Sequence, residues 1–318
     1  MFLACVLLLT GLALVVFGAD YLVEGASAVA RRFGLSEFVI GLTIVGMGTS
    51  APEMVVSFIG ASEGNADIAL GNVVGSNIFN TLLILGLTAV MLPIGITESN
   101  RKRDIPVNIF ITVLLILLGL EATLFGVGTN GLSRWDGAIM IGFFILYFLL
   151  SFKQKAPQEG PADEVKQRNI WLSVLFILGG LAALIFGGQL FVNSATSIAK
   201  ALHVSDKFIA ITVLAGGTSL PELATCVAAA VKKKGQLALG NIIGSNVFNI
   251  LLILGGSALI HPLSFDSITY VDLTALLVSA LALLTSSYVG KKNCIDRLDG
   301  ALFLLLWAGY FTYLFTQL

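Results

Sequence analysis

The sequence predicts an all-α membrane protein of ten transmembrane helices, arranged as two inverted-topology five-helix repeats. Three observations lead there: an apolar, charge-poor composition, a self-similarity at an offset of 169 residues, and a one-sided distribution of basic residues. Of 318 residues, 57% are hydrophobic and 12% charged, whereas soluble domains average about 45–50% and about 25%. A spanning helix needs roughly 20 mainly apolar residues. Ten segments meet that need, at approximately 2–24, 37–61, 68–92, 105–126, 135–152, 170–192, 206–230, 236–260, 269–289 and 298–316. Runs this long are not the short alternating segments of a β-barrel. Too little chain remains outside them for a soluble catalytic domain, so the reading is not an enzyme. The net charge of −1 predicts no nucleic-acid partner.

The first segment has no basic leader and runs past twenty residues without a clear cleavage site, so it reads as a helix rather than a signal peptide. Cys5, Cys226 and Cys294 have no paired spacing and read as small buried packing residues. The longest polar stretch, Lys153 to Asn169, contains Pro157, Gly160 and Pro161 and reads as a cytoplasmic linker. It divides the chain into a first repeat over 1–152, a linker over 153–169 and a second repeat over 170–318.

Shifting the sequence by 169 aligns residues 11–86 with 180–255 without a gap, with about 22 identities in the 50 positions from 37 to 86. This is a duplication. Five helices per half is an odd number, so the second half must enter the membrane from the opposite side. Charge gives the same answer independently. With the N-terminus outside, about 15 of the 18 basic residues fall in inner loops, leaving Arg134, Lys200 and Lys207 outside. Both termini are therefore expected on the outer side. Inverted repeats are a recurring plan of secondary transporters, with the binding site near the membrane midplane where the repeats meet.

The first repeated element is GTSAPE at 48–53, mirrored as GTSLPE at 217–222. On a helix, Gly46, Thr49, Ser50, Glu53 and Ser57 share one face. Pro52 and Pro221 each lack an amide hydrogen and press on the preceding turn, which predicts unpaired carbonyls at Gly48 and Gly217 and loosened ones at Thr49 and Thr218. In a bilayer such carbonyls are tolerated only where protein, water or a ligand satisfies them. The second element is GNVVGSNIFN at 71–80, mirrored as GNIIGSNVFN at 240–249. Asn72, Ser76 and Asn80 lie on one helix face, as do Asn241, Ser245 and Asn249. Ser76, Asn80, Ser245 and Asn249 are expected toward a ligand. Asn72, Asn77, Asn241 and Asn246 could equally tie helices together, and Gly71 and Gly75 would admit a neighbouring helix closely.

A carboxyl at the bilayer centre costs about 2.5–3.5 kcal/mol on insertion scales, so two symmetry-related ones point to function. At about 5 Å and an effective dielectric near 20, two ionised glutamates repel by roughly 3 kcal/mol, so the pair should attract a cation or hold a proton. Every candidate ligand atom is an oxygen, which suits hard cations, and Ca²⁺ accepts 6–8 of them in flexible geometry. No His or Cys pair suggests zinc or copper, since His203 and His261 fall near helix ends. Two carboxylates neutralise one divalent or two monovalent ions. A third Na⁺ in the same pocket would travel with net charge and make exchange voltage-sensitive.

These residues resemble the repeats of the sodium/calcium exchanger family, within the cation/calcium exchanger superfamily, and the short prokaryotic members above all. The resemblance implies a Na⁺/Ca²⁺ antiporter of the inner membrane with no cofactor, transporting Ca²⁺ and Na⁺ within the lipid bilayer as a monomer. It implies that Glu53 and Glu222 ligate both ions and that the Thr49 and Thr218 carbonyls complete the calcium site. It further implies sodium sites at Ser50, Ser76 and the Gly46 carbonyl on one side, and at Ser219, Ser245 and the Ala215 carbonyl on the other, with Asn80 and Asn249 lining the centre. Archaeal exchangers of this plan can carry an acid where this chain has Asn249, and alanine where it has Gly46. Family members move the first and sixth helices as a gate. Gly11, Gly18, Gly25, Gly180 and Gly187 would give a smooth sliding face, and tight packing explains them as well. Asp20 and Glu24 read as interfacial. An H⁺- or K⁺-coupled exchanger of Ca²⁺ or another divalent ion is the nearest alternative, and a cation channel the more distant one.

Overall fold

The computed structural model describes residues 2–126, 129–152, 169–202, 215–266, 268–289 and 293–316. His203, Lys207, the start of the 206–230 segment and nearly all of the 153–169 linker lie outside the described residues. The helices in chain order are α1 Phe2–Phe33, α2 Glu37–Thr49, α3 Ala51–Ser62, α4 Ala66–Met91, α5 Ile105–Gly119, α6 Arg134–Ser151, α7 Ile170–Ala201, α8 Leu220–Val231, α9 Gly235–Ile260, α10 Tyr270–Tyr288 and α11 Arg297–Thr316. Among the described residues, seven helices are long and apolar enough to cross a membrane, or eight when α2 and α3 count as one bent span. α5 is a shorter helix continued by the turn Glu121–Phe125, and α8 is preceded by the helical turn Ala215–Gly217.

The longest helices, α1 and α7, pack against each other, and glycine makes that possible. A methyl group added at Gly11 would strike the backbone of Gly187 and Phe191. At Gly18 it would strike Gly180 and Leu184, and at Gly25 Ser173 and Ile177. Rising numbers in α1 meet falling numbers in α7, so the two run antiparallel. The glycine stripe therefore faces the other long helix, and of the two explanations for it, tight packing between these two helices is the one observed. Leu9, Phe17, Leu175 and Phe186 lie exposed on the outer flanks, as expected for side chains that meet lipid. Cys5 is exposed on α1, against the expectation of a buried packing residue, while Cys226 is buried.

α4 and α9 form the centre: their apolar windows are 72% and 94% buried, against 22% for α1 and 28% for α7. The backbones of α2 and α9 touch. A methyl group at Gly240 would run into the Phe38 carbonyl, and at Gly244 into that of Leu42. The mates of these glycines by sequence, Gly71 and Gly75 in α4, have nothing within 4 Å of such a methyl among the described residues. The segment that repeats Phe38 and Leu42, at 207 and 211, lies outside the described residues, and with it the close helix approach expected at Gly71 and Gly75.

Small antiparallel clips tie loops at the helix ends. Strand β1 Ile94–Gly95 pairs with β4 Cys294–Ile295, and β2 Gly131–Leu132 with β3 Leu263–Ser264. Near the first clip Arg101 bonds Asn293 and lies 5.4 Å from the Tyr288 ring. Just before α5, Asp104 is wholly buried and takes hydrogen bonds from Arg103 at 2.8 and 3.0 Å, Asn100 at 3.3 Å and the Tyr147 hydroxyl of α6 at 3.2 Å. Burial pushes the Asp104 carboxyl above its usual range while Arg103 pulls it back. Tyr147→Phe removes one donor to this buried acid, so the variant should lose about 1 kcal/mol of stability. A melting temperature in detergent equal to that of the wild type would contradict this.

Candidate functional site

The proline hexapeptides do more than loosen a helix. The chain turns by 48° between α2 and α3, with Ser50 at the corner (φ −81°, ψ 8°) and Pro52 in the first turn of α3. Ser219 has nearly the same geometry (φ −88°, ψ 9°) ahead of Pro221 in α8. Proline suits a first helical turn because no amide hydrogen is needed there. The expectation of a continuous helix with one freed carbonyl thus becomes a true break, and Glu53 and Glu222 each lie in the first turn of a new helix, where the helix dipole favours negative charge.

Both glutamates are completely buried. Each is held by the serine of the opposite half: Ser219 donates to Glu53 Oε1 at 3.1 Å, and Ser50 donates to Glu222 Oε1 at 3.0 Å. The threonines cross over in the same way. Thr49 donates to Asn241 Oδ1 at 3.2 Å, and Thr218 to Asn72 Oδ1 at 3.5 Å. The amides of those asparagines then bind within their own half, Asn72 to the Glu53 carbonyl at 3.1 Å and Ser57 at 3.0 Å, Asn241 to the Cys226 sulfur at 3.4 Å. Asn72 and Asn241 therefore tie helices together.

Ser245 donates to the Gly46 carbonyl at 3.3 Å, and the Thr49 hydroxyl, whose one hydrogen is shared between this oxygen and Asn241 Oδ1, lies 3.3 Å from it. Ser245, from the second half, thus meets the Gly46 carbonyl of the first, beside Thr49, Ser50 and Glu222. Ser76 is buried and lines a cavity of about 600 Å³ that also reaches Asn72, Gly71, Gly75, Phe79 and Gly216, and has Asp67 and Asp272 at the helix starts of α4 and α10. Ala215 opens the turn that leads to Thr218 and Ser219.

Asn80 and Asn249 are the second residues of corresponding π-helical turns, Phe79–Ile84 and Phe248–Leu254, a feature that spacing in the sequence did not reveal. π-turns are rare and frequent at functional sites, because the extra residue re-aims side chains. The turn bearing Asn249 packs against α3 and the turn bearing Asn80 against α8, so each amide is brought to the helix of one glutamate. Among the described residues, four buried oxygens of these side chains have no hydrogen-bond partner: Glu53 Oε2, Glu222 Oε2, Asn80 Oδ1 and Asn249 Oδ1. A buried acceptor left unpaired costs about 1–3 kcal/mol, more when charged. Two carboxylate and two amide oxygens are of the ligand type that hard cations take.

A bundle of apolar helices around an oxygen-lined polar centre defines a multi-pass membrane protein of the ion-transporting class. The comparisons name the family. The profile described as Sodium/calcium exchanger protein matches residues 3–153 and 172–316, and the chain belongs to that family. It is 36% identical to the inner membrane protein YrbG of Escherichia coli over 85% of this chain and 84% of that one. It is 32% identical to the sodium/calcium exchanger MaX1 of Methanosarcina acetivorans over 97% of each. The solved structure of the sodium-calcium exchanger NCX_Mj matches with a TM-score of 0.85 at 33% identity, covering 98% of this chain and 99% of that one.

Proposed function

We propose that this protein is an electrogenic Na⁺/Ca²⁺ antiporter that works by alternating access, with Glu53 and Glu222 as shared ligands of both ions. The observation that carries the reading is the set of four unpartnered oxygens at the buried centre. Around them, the Thr49 and Thr218 carbonyls complete a calcium site, Asn80 and Asn249 face its middle, and sodium sites draw on Ser50, Ser219, Ser76, Ser245 and the carbonyls of Gly46 and Ala215. With Asn249 uncharged, the two glutamates are the only acids in this ligand set, so charge balance favours one Ca²⁺ or two Na⁺. A further Na⁺ would then carry net charge across the membrane.

Ten spanning helices in two inverted repeats, 1–152 and 170–318, are the architecture of this reading. The antiparallel α1 and α7, the reciprocal serine–glutamate bonds and the two stretches matched by the family profile support it. Both termini lie outside and the linker lies in the cytoplasm, by the positions of the basic residues. The cavity at Ser76 then opens outward, while on the inner side Lys232, at the end of α8, pairs with Asp20 of α1 at 2.6 Å. The chain works in the cell's inner membrane as a monomer.

Purified protein in proteoliposomes tests this. Radioactive Ca²⁺ uptake should require an opposing Na⁺ gradient, vanish when choline replaces Na⁺, and change with an imposed membrane voltage. Uptake that survives choline at a fixed pH gradient would assign coupling to H⁺ or K⁺, and conductance without exchange would assign a channel.

A further inference from the structure

The unpartnered oxygens of Asn80 and Asn249 raise a question of orientation. A carboxylate presents an oxygen whichever way it turns, but a carboxamide presents oxygen in one orientation and an NH₂ group in the other. Turned by 180°, either asparagine would aim two N–H donors at a cation and repel it. Something must choose the orientation before the ion arrives.

Two buried asparagines meet that need, and each belongs to the half opposite the amide it holds. Asn246 Oδ1 accepts from Asn80 Nδ2 at 3.3 Å, and Asn77 Oδ1 accepts from Asn249 Nδ2 at 3.1 Å. Because the nitrogens are engaged, the Oδ1 atoms of Asn80 and Asn249 are left unpaired. The orienting residues are themselves fixed through their own nitrogens: Asn246 Nδ2 donates to Thr81 Oγ1 at 2.9 Å, and Asn77 Nδ2 to the Asn246 carbonyl at 3.5 Å. The arrangement is unequal between halves, since the position corresponding to Thr81 is Ile250, which has no hydroxyl. Asn77 has the longer, weaker anchor.

We propose that Asn77 and Asn246 are positioning residues for ion binding, holding the carbonyl oxygens of Asn249 and Asn80 respectively toward the ion. They act through those amides and do not touch the ion. This rests on the reading of the four oxygens as cation ligands. A helix-tying role alone would affect stability and would couple Asn77 to no particular ligand. A positioning role makes a cross-paired prediction: Asn77 matters only while Asn249 is present, and Asn246 only while Asn80 is present.

The experiment is a set of double-mutant cycles, with Ca²⁺ binding to the purified full-length protein measured by calorimetry in detergent. Asn77→Leu and Asn246→Leu are each expected to weaken Ca²⁺ binding about tenfold, the equivalent of one lost favourable contact. On an Asn249→Ala background, adding Asn77→Leu should change affinity less than about twofold, and Asn246→Leu should behave likewise on Asn80→Ala. The crossed combinations, Asn77→Leu with Asn80→Ala and Asn246→Leu with Asn249→Ala, should instead multiply. Asn77→Asp keeps the acceptor oxygen and should retain at least wild-type affinity. If a leucine variant yields no folded protein, Asn77→Ser or Asn246→Ser, too short to reach the partner amide, takes its place in the same cycle. Independent effects in the matched pairs, or equal coupling in matched and crossed pairs, overturn the proposal. A wild type that binds no Ca²⁺ overturns the underlying reading as well, whereas Ca²⁺ binding with independent cycles removes the positioning role alone.

Discussion

Glu53→Gln and Glu222→Gln should each reduce Na⁺-dependent Ca²⁺ exchange by more than a hundredfold while leaving the ion-free protein at least as stable as the wild type. A divalent ion about 2.4 Å from a carboxylate oxygen is attracted by roughly 14 kcal/mol at an effective dielectric near 20. Dehydration of the ion and the carboxylate cancels most of that attraction. A remainder of about 3 kcal/mol is already more than a hundredfold in affinity. In the absence of ions the sign reverses, because glutamine removes one of two buried carboxylates whose charges repel and keeps a side chain that Ser219 or Ser50 can still bond. Ca²⁺ should raise the melting temperature of the wild type, since a ligand stabilises the state that binds it, and should do so hardly at all in either variant. Flux within about threefold of the wild type in both variants, together with an undiminished Ca²⁺-dependent shift in melting temperature, would exclude these carboxylates as ligands.

The second large effect concerns assembly. Gly240→Val and Gly244→Val should prevent recovery of monodisperse protein or lower its melting point sharply, because the first added carbon of either would occupy the carbonyl of Phe38 or Leu42. A carbonyl in a packed helix cannot rotate away as a side-chain tip can, so the cost lies at or above the usual 1–3 kcal/mol for overpacking, roughly 3 kcal/mol or more. Size-exclusion profiles and thermal unfolding of the two variants decide it. Monodisperse Gly240→Val or Gly244→Val with a wild-type melting temperature would contradict the close approach of α2 and α9.

Much of the site was legible before any coordinates. Glu53 and Glu222, the serines that precede them by three, and Asn80 and Asn249 were marked out because costly groups recurred at one offset in apolar runs. The glycines of α1 and α7 were marked out too, but their role was ambiguous until the two helices were found face to face. Other features had no signal in spacing. Pro52 could have kinked a helix or begun one, and the 48° break shows that it begins one. The π-turns at Phe79 and Phe248 follow from packing, since the same residues would also propagate an α-helix. Asn77 and Asn246 stood open between tying helices and facing a ligand, because nothing in a sequence states which amide lies across from them.

The sequence by itself determined the membrane class, the duplication, and which residues could afford oxygen ligands, because these depend on composition and on helical periodicity within single segments. The tertiary structure alone decided the partners: Ser50 on the glutamate of the other half, Ser245 on the Gly46 carbonyl, and Gly240 and Gly244 on the backbone of α2. The reason is physical. Periodicity specifies which side chains share a face, but which faces meet depends on how helices far apart in the chain dock.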